Sequence, residues 1–323
     1  MEFPRAALNV QRGLALLLLA ATLVVAVVER QSPFISHVRS NRPWPFWLSV
    51  HEASRTSAPS LQLGVYRPAQ RSLVLIRIPK TTRLEGKLTV ARAFKKARRA
   101  TEDESASART VEDLMQVRIS SVSAESIPWD TVGRLSLELE ADDDDDEPAV
   151  VAARALKARG RSPRALWALL RDAAVGLSRD DKAAADALFL TLELRRIPLE
   201  SLQPALLPDD ADAPDFLART FAARREPRND EKATVVEVLN GTDSQGLAAQ
   251  ASKVLRSKGV DVMSIGQAPH PRSRTVVYDR TGDFVRAARV RAALGCATAI
   301  AATRIDTLRG VDASVELGAD CDF

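Results

Sequence analysis

The chain has 323 residues, 46% of them apolar, which is enough to pack about two domains and excludes a wholly disordered protein. Its net charge of +4, from 46 basic and 42 acidic residues, is a mild excess that attracts anions without choosing between nucleic acid, acidic lipid and acidic wall polymer. Three His and two Cys are too few for the common zinc sites, and neither a P-loop nor a Rossmann glycine pattern is present.

Residues 1–12 form a short tail in which Arg5 and Arg12 precede an uninterrupted apolar run, Gly13 to Val28. As a helix rising ~1.5 Å per residue the run spans about 24 Å, short of the ~30 Å hydrocarbon core. Arg12 and Arg30 can snorkel to close that gap. Positive charge before the run and none within it predicts a cytoplasmic N-terminus and a chain that continues outside the cell. A single-pass membrane anchor and a cleaved signal both fit, since Val24-Val25-Ala26 is a passable cleavage site. Residues 29–46, with Pro33, Pro43 and Pro45, read as an irregular linker. Trp44 and Trp47 belong either to the membrane interface or to the first folded layer.

Residues 47–225 read as one mixed α/β unit. Leu61 to Tyr66 and Leu73 to Ile78 are β-prone runs joined by Arg67-Pro68-Ala69 as a hairpin. Leu88 to Arg99 has helical spacing, with Lys95, Lys96, Arg98 and Arg99 as a basic outer face or a contact for anionic headgroups. Thr110 to Met115 suits a short helix, and Leu135, Leu137 and Leu139 alternate as a half-buried strand does. The acidic run Asp142 to Glu147 lacks the glycine-spaced geometry of a cation loop and reads as solvated. Helices are expected over 149–158, 163–174 and 179–194, and a loop over 206–215. Residues 226–233 are the linker to a second unit.

Residues 234–320 alternate strand and helix. Thr234 to Leu239 is a strand turned by Asn240-Gly241-Thr242, and Ser244 to Ser257 is a helix closed by Gly259. Strands follow at 260–265 and 275–278, then a helix at 283–294, then strands at 297–302 and 313–317. The overall fold class is α/β (α+β), and this second unit suggests a ferredoxin-like β-α-β-β-α-β plan.

Val235-Val236-Glu237-Val238-Leu239-Asn240-Gly241-Thr242 and the following Gly246-Leu247-Ala248 resemble the opening of the LytR C-terminal domain. Thr275-Val276-Val277-Tyr278 resembles its middle strand, and Val315-Glu316-Leu317-Gly318-Ala319-Asp320 its last strand and exit. The region before it resembles a degenerate LytR–CpsA–Psr domain. Ile78-Pro79-Lys80-Thr81-Thr82-Arg83 stands where that family reads Ile-Pro-Arg-Asp-Thr, and Lys87-Leu88-Thr89-Val90-Ala91 where it reads Lys-Ile-Asn-Ala-Ala. Thr110-Val111-Glu112 is similar to its Thr-Val-Glu segment, and Leu177 to Leu192 to its closing helix.

The resemblance implies a bacterial cell-envelope setting, in a family whose enzymes transfer glycopolymers from a polyprenyl-pyrophosphate carrier to peptidoglycan. The departures fall on that chemistry. Lys80 replaces the motif arginine and cannot form its bidentate fork, Thr81 replaces the neighbouring aspartate, and the upstream aspartates align near His51 and Pro59. The sequence therefore points to a non-catalytic envelope module that binds wall glycan or an envelope protein, reaches the membrane through its N-terminal helix and does not bind nucleic acid. No cofactor is expected; magnesium enters only under the alternative of a divergent transferase. Lys80, Arg83, Arg161 and Arg164 are the candidate contacts for an anion or lipid phosphate, against the reading that they are solvated charges. Cys296 precedes one predicted strand and Cys321 follows the last; in an exported domain they either form a disulfide that ties down the terminus or remain two thiols.

Overall fold

The computed structural model describes residues 32–52, 59–84, 86, 88–100, 104–122, 127, 129–139, 148–177, 183–198, 201–209, 211–221 and 233–323, with Thr22, Ala26, Glu29 and Arg30 apart from these. Among the described residues no helix is long and apolar enough to cross a membrane. The apolar run 13–28 lies outside them but for Thr22 and Ala26, as do the acidic run 142–147 and all of the 226–233 linker except Ala233.

Among the described residues ten strands form one mixed sheet. The first five are β1 (Trp44–Glu52), β2 (Ser60–Arg67), β3 (Ser72–Arg77), β4 (Gly133–Leu139) and β5 (Leu202–Leu206). The second five are β6 (Val235–Asn240), β7 (Asp261–Gln267), β8 (Val276–Asp279), β9 (Ile300–Thr303) and β10 (Ala313–Leu317). Their order across the sheet is β4-β1-β2-β3-β5-β9-β8-β10-β6-β7. β1, β2 and β3 are an antiparallel meander, in which Arg71 takes a left-handed φ of 45° to close the second turn. β4 lies parallel to β1 and β5 parallel to β3, so all four of these strands end on the same edge.

In the first half the sheet is covered on both faces. Trp44, Phe46, Leu48 and Val50 of β1 point to one side, where they pack with Leu156 of α4 (Pro148–Arg161) and Leu190 and Leu194 of α6 (Ala183–Leu194). Between these two helices runs α5 (Pro163–Leu177). Trp47 points the other way and meets Val90 and Phe94 of α2 (Val90–Ala100), Val111 and Met115 of α3 (Glu104–Val122), and Phe216 and Leu217 of α7 (Ala213–Phe221). This period-two split of one strand between two cores explains why its sequence is apolar without a break from Trp44 to Leu48. Both Trp44 and Trp47 are fully buried, so the reading that places them in the folded layer is the one observed.

Several expectations are corrected. The stretch expected to be an irregular linker contains α1 (Pro33–Arg39) and the start of β1. Ser32 caps α1 by accepting from the Ile35 N–H at 3.2 Å, and Asp186 of α6 accepts from the Ser32 hydroxyl at 2.5 Å and the Phe34 N–H at 3.2 Å. That anchor lies 154 residues away in sequence, beyond the reach of any local pattern. Thr110 does not start a helix: it lies within α3 and its hydroxyl donates back to the Ala106 carbonyl at 3.0 Å. The expected loop over 206–215 instead holds the end of β5 and the start of α7, whose Phe216, Leu217 and Phe221 are buried.

Among the described residues the second half has helices on one face, α8 (Leu247–Ser257) and α9 (Phe284–Leu294). Its strand order is not the ferredoxin-like one. There, the strands joined by each helix are split by another strand. Here β6 and β7 pair directly, as do β8 and β9, and β10 lies between the two pairs, parallel to β6 and antiparallel to β8. The physical reason lies in β10 itself. All five of its residues are buried, with Ala313, Val315 and Leu317 in the core under the helices and Ser314 and Glu316 alternating with them, so the strand needs neighbours on both edges. The two halves meet at β5 and β9 through one register pair, Ala205 with Thr303. Pro204 of β5 has no N–H to contribute to a ladder there, which is consistent with so short a seam.

Candidate functional site

The carboxyl edge shared by β1, β3, β4 and β5 is where open α/β sheets hold ligands. After β3 the chain makes a narrow arm. Thr82 N–H donates to the Pro79 carbonyl at 2.9 Å, Arg83 bridges to Thr89, and Ala91 N–H donates to the Lys80 carbonyl at 3.0 Å. The arm returns to the N-terminus of α2, where the Thr89 hydroxyl accepts from the Arg92 N–H at 3.4 Å. Lys80, Thr81, Arg83 and Arg92 are exposed around a shallow depression of about 580 Å³. Three cations beside a helix N-terminus suit an anion. The described residues lining the depression include no carboxylate. Arg161 and Arg164 are not brought there. They sit at the α4–α5 junction, on the face of the sheet opposite α2.

Beneath the same end of β1 lies a buried acid that the sequence did not single out for chemistry. Glu112 of α3 accepts from the Ser49 hydroxyl and from Arg134 Nε, both at 3.0 Å. Burial is the largest influence on its carboxyl and pushes it above the ordinary value of 4.5, against the lowering effect of Ser49 and Arg134. Because the value is raised on folding, the stability tied to this group is complete below about pH 4.5 and is lost as pH rises through the raised value. Urea unfolding of the wild type and Glu112→Gln from about pH 4 to pH 8 should show the wild type losing ground to the variant as pH rises. A constant difference across that range would contradict this account.

In the second half, the residues that carried the family resemblance tie strand ends together. Asn240 Oδ1 accepts from the Thr242 N–H at 3.0 Å and the Thr242 hydroxyl at 2.9 Å, which closes the turn after β6. Gly241 N–H donates to the Leu317 carbonyl at 2.9 Å, and a Cβ at Gly241 would lie 2.6 Å from that oxygen. Asp320 Oδ1 accepts from Thr275 N–H at 2.7 Å and its hydroxyl at 2.9 Å. A Cβ at Gly318 would stand 2.3 Å from the Arg274 backbone, so glycine there is a requirement of two chains crossing closely. These motif positions serve architecture: they lock the ends of β6, β8 and β10 into one corner.

Behind the helices, the other face of this sheet is roofed by charged side chains. Glu316 accepts from Arg272 Nε at 2.9 Å and Nη2 at 2.7 Å, and Arg280 lies 4.0 Å from its other oxygen. Arg280 is 2% exposed, donates from Nε to Ser314 Oγ at 2.7 Å and stands 5.0 Å above the Tyr278 ring. Arg309 pairs with Glu237 at 2.6 Å on the same face. Cys296 and Cys321 form a disulfide with Cα atoms 5.7 Å apart.

Residues 233–320 match the family described as "LytR cell envelope-related transcriptional attenuator". The second unit is a LytR C-terminal domain. The solution structure of the C-terminal domain of RV0431 is similar at 23% identity over 30% of this chain and 84% of that one, with a TM-score of 0.21. No curated protein matches the chain.

Proposed function

We propose that this protein is a membrane-anchored cell-envelope module that binds an anionic wall polymer or lipid phosphate and does not transfer it. The observation that carries the reading is the depression at the sheet's carboxyl edge, in which Lys80, Arg83 and Arg92 meet a helix N-terminus while Thr81 stands where the resembled family has an aspartate. Cations alone hold a pyrophosphate; moving it also requires acidic groups to hold a metal and manage protons. The adjoining LytR C-terminal domain supports the envelope setting, and the apolar run 13–28 with its basic flanks supports the anchor. The unit before it is a worn LytR–CpsA–Psr-like domain in this reading, and the C-terminal domain contributes a second contact with wall glycan or an envelope protein.

Calorimetric titration of the full chain with a polyprenyl pyrophosphate, with and without magnesium, tests this. Binding indifferent to magnesium, and weakened about tenfold or more in Lys80→Ala/Arg83→Ala, is expected. Magnesium-dependent binding accompanied by release of the carrier pyrophosphate in the presence of peptidoglycan would establish the transferase reading instead.

A further inference from the structure

The seam between the two halves leaves a cleft. Helix α4 packs against β5 and helix α9 against β9, two strands joined by one residue pair. The volume of the cleft is about 340 Å³. Its floor and walls include Leu202 of β5, Ile300 of β9 and Phe284 of α9. Three arginines enter it from three separate segments: Arg154 from α4, Arg274 from the approach to β8, and Arg291 from α9, two turns beyond Phe284 on the same helix face. All three are partly buried, Arg154 and Arg274 each hold a further contact within the chain, and the described residues of the lining include no carboxylate.

We infer that this cleft is a binding site for a small amphiphilic anion, a phosphate or carboxylate head on a short apolar body. The arginine forks match either head, and apolar walls exclude water and strengthen the charge contacts. A volume at the low end for ligand sites fits a short chain or a single ring and excludes a whole polyprenyl tail. The site is separate from the Lys80 depression, which lies at the strands' carboxyl ends, whereas this cleft takes residues from the start of β5, β8 and β9. One wall, Ala297 to Ala301, begins beside Cys296, so the disulfide to Cys321 holds it in place. A ligand seated there touches both halves and braces a seam that has little ladder of its own.

The test is titration of the full chain with hexyl phosphate, hexanoate, hexyltrimethylammonium and inorganic phosphate, read by calorimetry. Saturable binding of an anionic amphiphile, at least about tenfold tighter than inorganic phosphate and without binding of the cation, is the expected result. Preference for hexyl phosphate assigns the site to lipid-type phosphates, and preference for hexanoate to fatty carboxylates. Arg154→Ala/Arg291→Ala should weaken binding about tenfold or more. Ala297→Trp, at an exposed wall position, should block the cleft without lowering the melting temperature. Binding that survives both variants, or no saturable binding of either anion, overturns the assignment. Neither variant touches Lys80 or Arg83, so this result and that of the proposed function are read separately.

Discussion

Glu316→Ala is expected to destabilise the C-terminal domain by about 3–5 kcal/mol, because it leaves buried positive charge without its counter-ion. The carboxylate is nearly inaccessible and lies between Arg272, which grips one oxygen through two nitrogens, and Arg280, which faces the other. Arg280 is the more exposed to the loss in energetic terms, although it is the less exposed to water. Its guanidinium is already disfavoured, chiefly by burial and then by the charges of Arg309 and Arg304. Glu316→Gln keeps an acceptor for Arg272 but removes the charge, and should fall between wild type and alanine. Denaturant unfolding of the three proteins gives the order directly. If Glu316→Leu were as stable as wild type, the network would be a replaceable filler, as some buried ion clusters are.

Loss of the Cys296–Cys321 disulfide should cost about 3.5 kcal/mol, the loop-closure entropy for the 25-residue separation it bridges. The bond joins the segment before β9 to the chain just after β10, and buried Cys321 belongs to the core under α8 and α9. Hydrogen bonds reinforce the same corner: Thr298 Oγ1 donates to the Asp320 carbonyl at 3.3 Å, and Asp320 holds Thr275. Without the disulfide these contacts remain, so the domain should keep its fold and melt earlier. The comparison is Cys296→Ser/Cys321→Ser against wild type, with and without reductant. A variant within about 0.5 kcal/mol of wild type would mean that the neighbouring hydrogen bonds already confine this loop.

Local pattern made much of the molecule legible. The β-branched run at 235–239, the period-two leucines at 135–139 and the amphipathic spacing of 247–257 all mark elements that the structure contains, within a few residues. In each, the side chains that choose the conformation are close in sequence. The candidate site was half legible: Lys80 and Arg83 stood out against a family motif, and their convergence with Arg92 at a helix N-terminus followed from the turn at Thr82. Glu112 was legible as a motif residue but not as a buried acid, because its partners Ser49 and Arg134 come from β1 and β4.

What the sequence alone determined about this protein was many of its elements and the kinship of residues 234–320, each written in contiguous patterns of hydrophobic period and turn chemistry. Only the tertiary structure decided that Arg161 and Arg164 belong to the far face from Lys80, that Pro33 to Arg39 is a helix, and that β10 sits in the middle of its sheet. The difference is physical. A strand's period says that it has two faces but not which strands flank it; that is settled by which buried surfaces and unpaired backbone groups remain once the rest of the chain has folded. The seam cleft is the extreme case, since its three arginines are distributed over 138 positions of sequence (Arg154 to Arg291, both included) and share one space only because β5 meets β9.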